Sequence, residues 1–296
     1  MMVNVKEVAE NIYMIDDQLC SISELGSVYL LDEEKKALVD SGPPSSAGVV
    51  LEGIRKVGIG PGDISYIIVT HVHLDHGGGA GVLLEHMPQA EVVVHYKGAE
   101  YLVEPAGLVQ GAIKALGAEV IAQHGEVVPV EPHRIRKVYD NDTIRLSEAQ
   151  VLDFIDAPGH APHELCIYER RNGGVFVGDA MGLNLAGGGV LLQCHPPPSL
   201  DLDACIGTIE RLKKLNATSL YFAHFGATRK AQETLQLAID QLRIYKDTLA
   251  KAIEENTLDE AAEEILAKIR AELEPVREIP SMYEFVDEAI VAPCIA

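Results

Sequence analysis

The sequence predicts an α+β fold: a sandwich of two β-sheets covered by helices, with a helical extension at its C-terminal end. Two observations carry this. Short, apolar, β-rich runs dominate both halves of the first 226 residues, with helical patterns interspersed, which fits a layered sandwich better than a doubly wound parallel sheet. Beyond Gly226 the apolar residues switch to three- and four-residue spacing, the mark of amphipathic helices.

The elements follow in order along the chain. Residues 11–15 and 27–31 read as strands, followed by a charged turn at 32–36 and a strand from 37 that ends at Asp40 and Gly42. A helical pattern over 46–57 passes through a Gly/Pro segment into an apolar strand at 64–70. The run 71–79, HVHLDHGGG, comes next, then a helical pattern over 80–86 that stops before Pro88. Residues 90–95 read as a strand, whereas 98–125 is helix-like but broken by glycines and Pro105, as a lid or substrate wall would be.

Strand texture returns at 143–146, 149–155 and 164–168, and a turn at 170–174 leads into a strand at 175–179. The uncharged, Gly- and Pro-rich stretch 180–198 reads as loop and short strand. Cys205, Ile206, Ile209, Leu212 and Leu215 mark a helix face that feeds a strand at 219–224. Leu235, Ala238, Leu242, Tyr245, Leu249 and Ala252 mark a long amphipathic helix, and Thr257 with Glu260 reads as a capping box for another. That last helix presents Ala261, Ile265, Ile269 and Leu273.

Composition narrows the function. The length of 296 residues allows one large domain or two small ones, and 47% apolar with 23% charged residues is ordinary for a soluble globular chain. A formal charge of −21 argues against binding nucleic acid through a positive field and gives no reason to expect an anionic membrane surface as partner. The charged N-terminal segment does not read as a secretory signal, and no apolar run reaches spanning length. Five scattered cysteines with no CxxC pair suit reduced thiols. The expectation is a cytoplasmic protein acting on a small molecule.

The chemistry is concentrated in the 71–79 run. His71, His73, Asp75 and His76 are four candidate metal ligands within six residues, directly after a strand and before a helix. Packing asks for no such cluster. Three further candidates each follow an apolar strand and sit beside a glycine: His160, Asp179 and His224. The pattern points to one rim of a sheet converging on one place. The isolated histidines His86, His95, His124, His133 and His163 read as ordinary surface or core residues, His195 as structural, and Arg229 and Lys230 as a helix start.

These residues resemble the metallo-β-lactamase-fold hydrolases, whose pattern is HxHxDH followed by a His, an Asp and a His; every element is present in order. The resemblance covers about residues 8–226 and, among the branches, looks closest to the glyoxalase II and lactonase-like one. It implies a four-layer αββα sandwich, placed here over residues 1–228; the helical extension over 229–296 lies outside the resemblance and is expected to pack on the core or on a partner subunit, as in a homodimer. The resemblance implies two divalent metal ions, zinc foremost with iron or manganese compatible. One would be held by His71, His73 and His160, the other by Asp75, His76 and His224, with Asp179 bridging and Asp40 orienting a ligand histidine. The implied activity is hydrolysis of a small ester, thioester or lactone by a metal-bridging hydroxide, with Asp75 orienting it or shuttling its proton. The spacing sets aside nucleic-acid-processing members, flavodiiron oxidoreductases and secreted β-lactamases. A mononuclear-iron persulfide dioxygenase of the same fold, and a non-catalytic metal-binding or interaction protein, are the alternatives.

Overall fold

The computed structural model describes residues 3–193 and 200–291. The first sheet has seven strands in chain order: β1 (Val5–Ala9), β2 (Ile12–Asp16), β3 (Ser27–Leu31), β4 (Lys36–Val39), β5 (Ile64–Ile68), β6 (Glu91–His95) and β7 (Ile135–Val138). Its first four strands pair antiparallel, and β4 through β7 run parallel. The crossovers carry α1 (Ala47–Lys56), α2 (Ala80–Leu84), α3 (Ala99–Val103), α4 (Ala106–Leu116) and α5 (Ala118–His124). The chain continues through β8 (Thr143–Arg145), β9 (Val151–Asp156), β10 (Leu165–Glu169), β11 (Gly174–Phe176), the hairpin β12 (Leu183–Leu185) and β13 (Val190–Leu192), helix α6 (Leu202–Lys213), β14 (Ser219–Tyr221) and β15 (Ala227–Thr228). The second sheet is ordered β15-β14-β11-β10-β9-β8, with β11 and β14 parallel. Helices α7 (Ala231–Glu255), α8 (Leu258–Leu273) and α9 (Pro280–Phe285) complete the chain.

Strand alternation sorts the core into layers. Along β5, Ile64 and Ile67 pack outward with Val50, Ile54 and Leu83 of the helices, while Tyr66 and Ile68 face the other sheet. Between the sheets Tyr29, Leu31 and Val93 meet Phe154, Ile167, Phe176 and Tyr221. Val175 and Val177 point away from that layer to meet Ile209, Leu212, Leu235 and Leu242 of α6 and α7. The result is helix, sheet, sheet, helix, the αββα order expected.

A fourth apolar cluster belongs to the C-terminal helices. Ile269, Leu273, Val276, Met282 and Val286 pack on Leu19, Leu25 and the β12–β13 hairpin. The expected capping box at Thr257 is corrected: Thr257 does occupy the N-cap of α8, but its side chain makes no cap hydrogen bond. The chain enters α8 straight from Asn256, whose left-handed conformation (φ 57°) already closes α7, and only the Thr257 carbonyl serves the new helix, accepting from Ala261 N at 3.1 Å. No helix among the described residues is long and apolar enough to cross a membrane.

The strand ends that carry the chemistry are pinned across the sandwich. Leu165 N donates to the Thr70 carbonyl at 2.8 Å, and Ser27 N donates to the Ala223 carbonyl at 2.8 Å. The buried Tyr29 hydroxyl lies 2.7 Å from the carbonyl oxygens of Phe222 and Gly226.

Candidate metal centre

All seven candidate ligands gather at one rim between the two sheets. The loop after β5 supplies His71, His73, Asp75 and His76, and the segments after β9, β11 and β14 supply His160, Asp179 and His224. The loop is tight: His76 N and Gly77 N both donate to the His73 carbonyl, at 3.0 and 2.9 Å. Its glycines are required by close approach. A Cβ on Gly78 would stand 2.3 Å from the Leu74 carbonyl oxygen, and one on Gly79 would stand 2.7 Å from that of Gly42.

The donor atoms form interlocking sets. His71 Nε2 and His160 Nε2 lie 2.9 and 3.0 Å from His73 Nδ1. On the other side Asp75 Oδ2 lies 3.4 Å from His76 Nε2 and 3.5 Å from His224 Nε2. Asp179 Oδ2 stands between the sets, 3.5 Å from His76 Nε2 and His224 Nε2, 3.6 Å from His160 Nε2 and 3.9 Å from His71 Nε2. Asp40 backs the site: its carboxylate accepts from Thr70 N and Oγ1, both at 2.8 Å, and its Oδ2 lies 3.2 Å from His76 Nδ1. The Leu25 carbonyl plays the same part for His224 Nδ1 at 3.2 Å.

Three features make a cation fit this cradle. The Nε2 atoms of His71 and His160 each lie about 3 Å from His73 Nδ1, close enough for the three imidazoles to share one ion. Buried His76 Nε2 and Asp179 Oδ1 make no hydrogen bond, an uncompensated cost unless a ligand takes them up. The charge balance agrees. Burial opposes ionisation of Asp75 and Asp179, yet the imidazoles of His76 and His224 hold both carboxyls well below the ordinary range. Reciprocally, burial pulls His76 and His224 down while the carboxylates, led by Asp179, push them up past the ordinary imidazole value. Burial and the neighbouring His76 keep His71 neutral, the state a ligand needs. His71 with His73 and His160, and Asp75 with His76 and His224, are thus two groups that could each hold a metal ion, and His71, His76 and Asp179 form a third overlapping group.

The site opens on a cavity of about 310 Å³. His73, Asp75, His160, Asp179 and His224 form its floor, and α4 and α5 form much of its wall through Leu108, Gly111, Ala115 and Ile121. Sequence reasoning missed several residues here. His163 and His124, read as ordinary, both line the cavity; His163 packs 5.9 Å from the His73 ring, centroid to centroid. Burial and then His73 push His163 down to about 3, so it is a neutral imidazole. Glu164 was also missed. Its Oε1 accepts from Asp179 N at 2.7 Å, and burial followed by Asp179 raises its carboxyl well above the ordinary range. The spacing of His160, His163 and Glu164 was a signal available in the sequence; nothing there distinguished His124. Arg229 and Lys230 do not line the cavity, and Lys230 is the residue before α7. His195 lies outside the described residues.

Comparison with known proteins agrees with this geometry. Residues 24–224 match the profile of the Metallo-beta-lactamase superfamily. The metallo-beta-lactamase fold-containing protein ST1585 of Sulfurisphaera tokodaii is 25% identical over 247 residues, 79% of this chain and 89% of that protein. The crystal structure of archaeal ST1585 matches with a TM-score of 0.66 at 23% identity, covering 79% of this chain and 86% of the other. MEM-A1, a subclass B3 metallo-beta-lactamase from a soil metagenome library, matches with a TM-score of 0.61 at 20% identity over 85% and 97% of the two chains. The acyl-coenzyme A thioesterase MBLAC2 of Gallus gallus is 32% identical over 127 residues, 38% of this chain and 40% of that protein. The likeness to the solved structures is one of fold.

Proposed function

The chain belongs to the metallo-β-lactamase superfamily, and on that premise we propose that it is a dinuclear metal-dependent hydrolase of a small ester, thioester or lactone. One observation carries the reading: two sets of buried donor atoms share Asp179 between them on the floor of a cavity. A mononuclear centre built on only two of the histidines and the aspartate would leave the convergence of Asp75, His76 and His224 without a purpose, which favours the dinuclear reading over the dioxygenase. One relative is in keeping with the hydrolase reading, since MBLAC2 is described as an acyl-coenzyme A thioesterase.

When bound, divalent cations supply Lewis-acid polarisation of an acyl oxygen and make hydroxide available near neutral pH. Zinc suits the N/O donor set, with iron and manganese compatible. The protein's own groups do the rest. His71, His73 and His160 would hold one ion, and Asp75, His76 and His224 the other, with Asp179 between them. Asp40 and the Leu25 carbonyl fix the rings of His76 and His224. Asp75, facing the cavity, would orient the attacking water or hydroxide by accepting its hydrogen bond, or shuttle its proton to the leaving group.

The test is a hydrolysis screen over aryl esters, thioesters and lactones with zinc-reconstituted protein, beside His71→Ala of matched circular dichroism. Turnover in the wild type that falls by roughly a thousandfold or more in His71→Ala is expected. Undiminished hydrolysis in the variant, or oxygen uptake on a persulfide without acyl hydrolysis, would overturn the reading.

A further inference from the structure

The wall of the cavity carries information about the substrate. Helix α4 has the sequence AGLVQGAIKAL, in which only Gln110 and Lys114 are polar, yet none of its residues is buried. It hangs between two cavities, the one of about 310 Å³ over the candidate centre and a second of about 520 Å³ on the side of Val109 and Gln110. An apolar helix that protein covers only in part, with Leu108 reaching the outer core, leaves apolar surface facing the cavity that can serve for binding. Gly107, Gly111 and Ala115, at four-residue spacing, place one stripe of small residues along the first cavity. Leu108, Leu116 and Ile121 complete an apolar trough that runs directly into the candidate centre.

The polar groups of that cavity are as informative as the apolar ones. Among the described residues no Lys or Arg lines it, and its carboxylates are those of Asp75 and Asp179 beside the histidines of the candidate centre. Lys97, whose charge reaches His163, is not a lining residue. A polyanionic leaving group or an acidic acyl group therefore meets no protein cation here, in a chain of formal charge −21. One further polar side chain lies at the centre's end of the trough. His163, more than nine-tenths buried and lining the cavity, leaves its Nδ1 without a hydrogen-bond partner.

We infer that the trough along α4 takes the apolar tail of an uncharged, medium-chain acyl ester, thioester or lactone, with the reacting carbonyl at the centre and a polar substrate atom on His163. The cavity sits at the lower end of the ligand-site range of about 300–1,000 Å³, which suits a medium rather than a long chain. This rests on the hydrolase reading. A Cβ added at Gly111 meets nothing within 4 Å, so Gly111→Phe fills the trough without backbone strain and retains the helix.

The test compares N-acetylcysteamine thioesters from acetyl to dodecanoyl, with octanoyl-CoA and the succinyl N-acetylcysteamine thioester as charged counterparts. With zinc-loaded protein, kcat/KM should rise by roughly tenfold or more from acetyl to octanoyl, and octanoyl-N-acetylcysteamine should exceed both charged compounds by a similar factor. Gly111→Phe should lower the octanoyl-to-acetyl ratio by roughly tenfold. A flat chain-length profile, or preference for octanoyl-CoA or the succinyl compound, overturns the inference. A separate binding arm titrates the non-hydrolysable ketones decan-2-one and butan-2-one into metal-free protein. Tighter binding of decan-2-one without hydrolysis of any ester supports the trough and refutes the hydrolase. Hydrolysis of short esters with no preference between the ketones does the reverse.

Discussion

Asp40 shows how much of this site is decided behind the ligands. It adopts a left-handed backbone conformation (φ 62°), a strained choice for a non-glycine residue, and from there meets Thr70 and His76 together. Asp40→Ala should weaken metal binding by roughly 10- to 100-fold, measured by competition with a chromophoric chelator. Unchanged affinity would remove Asp40 from the site. Asp17, on the buried side of the same rim, is held up to about 7 by burial and then by Asp16. A carboxyl raised from 3.8 in this way gives stability that is complete below pH 3.8 and is lost as pH rises through 7. In metal-free protein, Asp17→Asn should therefore gain on the wild type by up to about 4 kcal/mol between pH 4 and 8, read from denaturant melts. Parallel pH profiles for the two proteins would exclude it. At this scale the sequence was most legible where polar residues break an apolar pattern in clusters: HVHLDH, then a His, Asp and His each at a strand exit beside a glycine. His163 and Glu164 carried only their closeness to His160 as a signal, because their roles come from a fold-back that sets β10 beside β9 and Asp179 over Glu164.

Elements were legible in proportion to how fully one face is buried. Strands that are apolar, buried runs, such as β5 and β11, stood out by composition, and the long helix α7 by its periodicity. Strand β1 did not; it is an edge strand with no fully buried residue, and its sequence VKEVA carries little contrast. The 98–125 region read as broken helix because α3, α4 and α5 are short, separated by Glu104-Pro105 and by Gly117 at φ 88°. The C-terminal helices left open what they cover. In the structure they close over Leu19, Leu25 and the β12–β13 hairpin, and Leu25 in turn holds His224. Leu273, fully buried in that cluster, is the residue to test. Leu273→Ala should cost about 2–5 kcal/mol of stability, measured by chemical denaturation. A loss under about 1 kcal/mol would mean that the helices are not part of the cooperative core.

For the whole molecule, the two sheets are the two halves of one instrument. The first brings His71, His73, Asp75 and His76 on a single loop, and the second brings His160, Asp179 and His224 from three strand ends, so any ion held there ties the sheets together. The two-sheet sandwich was legible in the β-rich runs of both halves and the four-layer order in the resemblance that the ligand pattern carries; the substrate was not, because the trough along α4 arises from how short helices lie over the cavity rather than from a motif. A two-metal centre is what the convergence of the seven ligands supports, and metal stoichiometry is its decisive test. Protein saturated with zinc and freed of excess by gel filtration should carry two ions per chain by mass spectrometry. One ion per chain, or none, would contradict it.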